Sequence, residues 1–237
     1  MRKFKMILAV WSGPRNLSTT LMYSFGSRTD FSIWDEPYYA AYLKKTGLNH
    51  PMRKEILETG IQDHETVQSA CIGKNGDGRP NFYQKHQTHH MLADFDRSWI
   101  TDVTNVFLIR HPARVISSYE KKREDPTLED IGFKQQAEIL DFVCQKTGKK
   151  PPIIDSYNVR KNPEKELRML CSAIGLNYDS KMLHWPSGGH KNDGIWASHW
   201  YNSVWNSTGF LPQEGPLPSL TPKMQALCDK ALPFYEK

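Results

Sequence analysis

The stretch with the most chemistry in its spacing is Ser12-Gly13-Pro14-Arg15-Asn16-Leu17-Ser18-Thr19-Thr20. A mostly apolar run, Phe4–Trp11, feeds a short loop carrying one cation, and hydroxyls open the helical pattern that follows. Such a loop turns backbone N–H groups and the positive end of a helix toward an anion. Arg15 adds a planar fork for phosphate or sulfate oxygens, and Ser18 and Thr19 add hydroxyl donors. The loop lacks the GK[ST] ending of a Walker sequence, so the lysine that grips a nucleoside triphosphate is missing. A second cation, Arg110, stands just past the buried run Val106–Ile109. Ser118 lies about two turns into the helix that Pro112 opens, and converges with Arg110 on one anion if that helix packs back.

A third group is Tyr83-Gln84-Lys85-His86-Gln87-Thr88-His89-His90, at the carboxyl end of a strand pattern. A neutral imidazole there suits removal of a proton from an alcohol or amine. His86 and His90 are the favoured bases, because four residues apart they can share a face; His89 stays open as well. Lys85 is placed to stabilise developing charge. Glu36, in Trp34-Asp35-Glu36-Pro37-Tyr38-Tyr39, is the other candidate base, against the plainer role of a charge complementing a helix start. The aromatics Tyr38, Tyr39, Tyr42, Trp99, Trp185, Trp196, Trp200 and Trp205 offer lining for an acceptor pocket, though most of them suit ordinary packing.

The elements that position these residues alternate. Strand patterns cover Phe4–Trp11, Phe31–Trp34, Asn81–Lys85, Thr104–Ile109 and Pro152–Asp155. Helical patterns cover Ser18–Phe25, capped by Ser18 or a neighbour, then Pro37–Leu43, Glu65–Ile72, Pro112 to about Lys122, and Phe133–Lys146. Asn162-Pro163 caps a further helix, Glu164 to about Ile174, that ends at Gly175. Gly73–Pro80 reads as a loop, Met182–Leu220 as a long ordered loop, and Pro222–Lys237 as a closing helix. Repeated strand–helix units mean an α/β fold with a mainly parallel sheet of about five strands flanked by helices. In such a sheet, ligands bind outside the carboxyl ends of the strands.

Together these motifs resemble the PAPS-dependent sulfotransferases (PAPS is 3′-phosphoadenosine 5′-phosphosulfate). That family's first loop, P-[KR]-S-G-[ST]-T, corresponds to Pro14-Arg15-Asn16-Leu17-Ser18-Thr19, with Asn16 and Leu17 where Ser and Gly are usual. An arginine at a later strand end and a serine eight residues on hold the 3′-phosphate there, and Arg110 and Ser118 have that spacing. Asp155-Ser156-Tyr157-Asn158 and the helix ending Ile174-Gly175-Leu176 continue the resemblance. His190-Lys191-Asn192-Asp193-Gly194-Ile195-Trp196 is similar, with a one-residue shift, to the R-K-G-x-x-G-x-W loop over the 3′-phosphate, which makes Lys191 a candidate contact. The resemblance implies one sulfotransferase-like domain over 1–237, of the P-loop-containing nucleoside triphosphate hydrolase-like type. It implies PAPS as donor, no metal, Gly13 through Thr19 with Arg110, Ser118 and Lys191 as the donor site, and a small-molecule or carbohydrate acceptor. A small nucleotide-dependent kinase and a non-catalytic nucleotide-binding protein are the alternative readings.

Composition agrees. In 237 residues, 38% apolar and 24% charged, the chain has the make-up of a globular domain and not of a disordered tail or coiled coil. The net charge of +5 comes from scattered basic residues, including Lys121-Lys122-Arg123, which suits an anionic small molecule better than nucleic acid. No stretch approaches the ~18 apolar residues of a membrane span. Four dispersed cysteines without a CxxC suit a reducing, cytoplasmic setting. Oligomeric state and acceptor identity stay open.

Overall fold

The computed structural model describes residues 5–73, 78–120 and 125–237. Phe4, the middle of the expected Gly73–Pro80 loop, and the Lys121-Lys122-Arg123 run with the expected helix end near Lys122 lie outside the described residues. Five strands form one parallel sheet in the order β2-β3-β1-β4-β5: β1 is Met6–Ser12, β2 Phe31–Asp35, β3 Asn81–Gln87, β4 Thr104–Ile109 and β5 Ile153–Asp155. The helices are α1 (Ser18–Gly26), α2 (Tyr39–Thr46), α3 (Arg53–Thr59), α4 (His64–Cys71), α5 (Pro112–Glu120), α6 (Leu128–Ile131), α7 (Phe133–Thr147), α8 (Ser156–Lys161), α9 (Pro163–Ala173), α10 (Ala197–Trp200), α11 (Asn202–Trp205) and α12 (Pro222–Tyr235).

The mainly parallel five-strand α/β sheet is as the sequence predicts. The differences have local causes. The sequence predicts neither α3, α6 and α8 nor the short turns α10 and α11. α6 is a single turn, α3 buries only Ile56, and α8 starts where Asp155 leaves β5 and caps Tyr157 N–H, so none offers an amphipathic stripe to read. Residues 182–220 are largely irregular but hold the short turns α10 and α11.

Strand alternation divides the core. Leu8, Val10, Tyr83, Val106 and Leu108 face α1, α9 and the C-terminal segment with Trp185, Trp196 and Tyr201. Ala9, Trp11 and Phe107 face the other way, against Val67 and Cys71 of α4 and Ile139, Leu140 and Val143 of α7. A third cluster joins α5, α6 and α12 through Val115, Ile116, Ile131, Met224 and Cys228.

Two glycines set how closely α6 approaches the first loop. A Cβ on Gly13 would lie 2.4 Å from the Ile131 carbonyl oxygen. Gly132 has φ +73°, and a Cβ there would lie 2.7 Å from Thr88 Oγ1, whose hydroxyl donates to the Gly132 carbonyl at 2.9 Å. Left-handed strain and overpacking add, so Gly132→Ala is expected to lower the unfolding free energy by about 2–4 kcal/mol. Urea unfolding checks this, and a loss below about 0.5 kcal/mol, within the scatter of surface substitutions, would refute the crowding account.

Candidate active site

The carboxyl ends of β1, β2, β3 and β4 open on one cavity of about 280 Å³. It is lined by Pro14, Arg15, Asn16, Leu17, Ser18 and Thr19 from the first loop, Glu36 after β2, Lys85 and His90 in and after β3, and Arg110 and Ser118 after β4. The two cationic grips that the sequence places 95 residues apart meet here: Arg110 Nη1 donates to the Arg15 carbonyl at 2.7 Å. Arg15 Nε donates to Ser118 Oγ at 3.0 Å, which leaves the Ser118 hydroxyl proton to donate elsewhere. Burial, and then the charge of Arg110, pull the Arg15 pKa below its ordinary value. Two crowded guanidinium groups of this kind are relieved by an anion between them.

The first loop has the backbone for that anion. Arg15 (φ +64°) and Leu17 (φ +72°) both lie in the left-handed region. Such turns aim successive N–H groups into a concave anion seat, and non-glycine residues hold them at a cost that clusters at functional sites. Leu17 thus takes the conformation that glycine would take freely. It also takes the N-cap position of α1, so the cap is the neighbour of Ser18 and not Ser18 itself, and it makes no side-chain cap bond. Asn16 is 1% exposed, and neither atom of its amide has a hydrogen-bond partner. A buried amide left so is what a bound polar ligand would satisfy. Gly13 does not line the cavity; its N–H is held by Gln136 Oε1 at 3.2 Å, and its lack of a side chain seats the loop against Ile131.

The opposite wall is acidic. In the β2–β3 register Asp35 stands beside Lys85. Lys85 Nζ donates to Asp35 Oδ1 (2.9 Å), Glu36 Oε1 (2.5 Å) and Tyr201 OH (2.6 Å). Those three bonds use all of its donors, so Lys85 fixes the wall and has none left for a leaving oxygen, contrary to the expected charge-stabilising role. Burial alone would discharge Lys85, but Asp35 and Glu36 outweigh it and hold the ammonium above its usual pKa. Glu36 has φ +43°, a strained backbone that turns its carboxylate into the cavity. Its Oε1 is taken by Lys85 and by Gln87 Nε2 (3.1 Å), and its Oε2 faces His90 Nδ1 at 4.0 Å.

The histidines separate. His90 lines the cavity, stacked between Tyr39 and Tyr42 with ring centroids 4.4 and 4.8 Å away, and His89 lines it too. His86 is corrected: in a strand its neighbours alternate, so while Lys85 faces the cavity His86 faces the α4–α7 core. It stacks on Trp11 at 4.4 Å and bonds Gln84 Oε1 at 3.1 Å. His86 and His90 therefore share no face; the spacing of four assumed a helix where β3 is a strand. Lys191 is corrected as well. It is exposed and outside the cavity lining, because its loop is pinned by Asp193, which accepts from Tyr23 OH (2.6 Å) and Trp205 Nε1 (3.0 Å), and by Gly194 N–H on Asp35 (3.1 Å). Of the eight aromatics, Tyr39 and Trp200 line the cavity among the described residues. Sequence reasoning missed Asp35 and Tyr201, which build the acidic wall, and Gln136 and Arg160. Asp35 adjoins Glu36 and was within reach; Tyr201 sits in a stretch without periodicity.

The fold and the cavity define an α/β protein with an arginine-lined cavity at the carboxyl edge of a parallel sheet. The chain belongs to the sulfotransferase domain family, whose model matches residues 5–237. Its fold is shared with a sulfotransferase domain from the curacin biosynthetic pathway (TM-score 0.58, 14% identity, 97% of this chain and 98% of that one). It is shared equally with the sulfotransferase domain of the Synechococcus PCC 7002 olefin synthase (TM-score 0.59, 15% identity, 97% and 95%). In sequence it is similar to branched-chain-amino-acid aminotransferase-like proteins 2 and 1 of Arabidopsis thaliana, at 35% identity over 232 residues and 34% over 234. The match takes in 97% of this chain in both cases but only 40% and 41% of those proteins, so the chain spans about two fifths of their length. Among the described residues, no helix is long and apolar enough to cross a membrane.

Burial pushes the His86 pKa down to about 3, while in the unfolded chain it keeps its ordinary value near 6.5. Between those values the unfolded state binds a proton that the native state refuses, so stability is complete above about pH 6.5 and falls as pH drops toward 3. His86→Phe, which keeps a ring on Trp11, is expected to remove about one proton's worth of that slope, ~1.4 kcal/mol per pH unit. Urea midpoints between pH 4 and 6.5 measure the slope, and an unaltered slope would mean that His86 protonates in the native protein.

Proposed function

We propose that the cavity binds PAPS and transfers its sulfuryl group to a hydroxyl or amine of a small-molecule or carbohydrate acceptor. The observation that carries this reading is that the Arg15 loop and Arg110 line one cavity in direct contact, a cationic cluster that suits a donor carrying several anionic groups. The residues fit the donor: the left-handed loop, the unpartnered Asn16 amide and Arg15 suit a phosphosulfate, and Arg110 with the free proton of Ser118 suits a phosphate monoester. When bound, PAPS supplies an activated sulfur whose leaving group is a phosphate.

The chain's own residues do the rest. Arg15 and the N–H groups at 16–19, with Ser18 and Thr19, offset the charge that gathers on the departing phosphate, and they are oriented before the reaction starts. Glu36 Oε2 takes the proton from the acceptor, because Lys85 and Gln87 hold the other oxygen and fix the carboxylate. His90 stands beside Glu36 as a neutral imidazole, because burial drives its pKa well below the ordinary value. Tyr39 and Trp200 give the acceptor an apolar seat.

Two variants separate the roles. Glu36→Gln is expected to lower kcat by about 10²–10⁴-fold and to leave the affinity for adenosine 3′,5′-bisphosphate nearly unchanged. Arg110→Ala is expected to weaken that bisphosphate by about 1.5–3 kcal/mol. Radiolabelled PAPS with a panel of alcohols and amines reads turnover, and calorimetry reads binding. No label transfer to any acceptor, or full activity in Glu36→Gln, would remove this assignment of roles.

A further inference from the structure

Arg110 is not alone at its end of the cavity. Arg114, from the first turn of α5, and Arg160, from α8, bring two more guanidinium groups to the same point. That point is filled by a carboxylate of the chain itself, Glu214. Arg110 Nη2 contacts Glu214 Oε1 directly, Arg160 Nη1 lies 3.1 Å from the same oxygen, and Arg114 Nε lies 3.5 Å from Oε2. Three cations against one anion leave two positive charges in a partly buried site. The Glu214 side chain is only 6% exposed, yet its Oε2 has no hydrogen-bond partner. A two-oxygen carboxylate under-fills a three-guanidinium site. A phosphate monoester, with three terminal oxygens and a charge near −2, matches it in both respects.

The segment that delivers Glu214 is held by side chains and not by the sheet. Residues 210–220 carry no regular secondary structure, and they include Pro212, Gly215, Pro216 and Pro218. Side chains tether it. Arg160 Nε donates to the Pro212 carbonyl (2.8 Å), Arg114 Nη2 to the Gly215 carbonyl (2.5 Å), and Gln213 Nε2 to Tyr157 OH (2.6 Å). Lifting it therefore unpairs no strand of the sheet.

We infer that Arg110, Arg114 and Arg160 form a single subsite for a phosphate monoester, and that Glu214 is its internal occupant, displaced by a 3′-phosphorylated nucleotide. The inference rests on the donor reading given above and adds two residues to it, Arg114 and Arg160, and one competitor. Because the nucleotide must exchange with a resident anion, Glu214 lowers the apparent affinity for the 3′-phosphate by the fraction of time it holds the site. A nucleotide without that phosphate is indifferent to Glu214.

Calorimetry on wild type, Glu214→Gln and Arg160→Ala with adenosine 3′,5′-bisphosphate and with adenosine 5′-monophosphate tests this. Glu214→Gln is expected to bind the bisphosphate about tenfold more tightly, with the monophosphate altered by less than about twofold, since one charged hydrogen bond is worth roughly that factor or more. Arg160→Ala is expected to weaken the bisphosphate by about tenfold and spare the monophosphate. Limited proteolysis of wild type gives a second reading that needs no variant: chymotrypsin is expected to cut after Phe210 faster with saturating bisphosphate and not with monophosphate. An unchanged or weaker bisphosphate affinity in Glu214→Gln overturns the inference, as does equal tightening of both nucleotides or slower cutting after Phe210 with bisphosphate. A wild type that prefers bisphosphate to monophosphate keeps the donor reading whatever Glu214 does. Failure of every protein to bind either nucleotide removes both.

Discussion

One buried glutamine fixes the point on which the site turns. Gln136, reaching in from α7, donates to the Leu108 carbonyl at 3.0 Å and, more weakly, to the Trp11 carbonyl at 3.5 Å, and it accepts from Gly13 N–H at 3.2 Å. It satisfies the last main-chain groups of β1 and β4 where the two strands part, groups that would be costly to bury unpaired. With those ends pinned, the loop after β1 and the loop after β4 diverge from a common root and face each other across a gap. The glycine contacts with Ile131 and Thr88 hold α6 against the same root. The loops that carry Arg15 and Arg110 both hang from this junction.

Charge is sorted across the gap. The β1 and β4 loops bring arginines, and the β2 and β3 ends bring Asp35 and Glu36. Lys85 lies wholly buried between the two carboxylates, and Tyr201 closes the network from the C-terminal segment. Breaking a buried network of this kind by removing one member commonly costs about 3–5 kcal/mol, so its worth lies in holding Glu36 in one place more than in net stability. The cavity thus presents a basic wall and an acidic wall, the two halves that the proposed transfer to an alcohol or amine would use. The Trp-rich segment joins them, because Tyr201 anchors on the acidic side while Glu214 reaches the basic side.

What the sequence determined by itself was the frame and the two leading cations of the basic wall, Arg15 and Arg110, but not Arg160. Apolar runs of strand length, alternating with helical patterns, dictate a parallel sheet, and the fourth strand, Thr104–Ile109, is read without error because its flanks, a polar start and Arg110-His111-Pro112, leave no other solution. Arg15, Ser18 and Arg110 were legible because each stands shortly after a strand end, and chain direction alone sends such residues to that edge of the sheet, whereas Ser118 reaches the cavity only because α5 packs back onto Arg15. Tertiary structure decided the rest. Which face His86 takes depends on where β3 stops being a strand, and the two extra residues of β3 put His86 in the core and leave His90 at the cavity. Lys85 became a brace instead of a reacting group only because Tyr201, 116 residues away, uses its last donor. Glu214 among three arginines had no local mark at all, since an irregular segment has no period, and only packing specifies what it lies against.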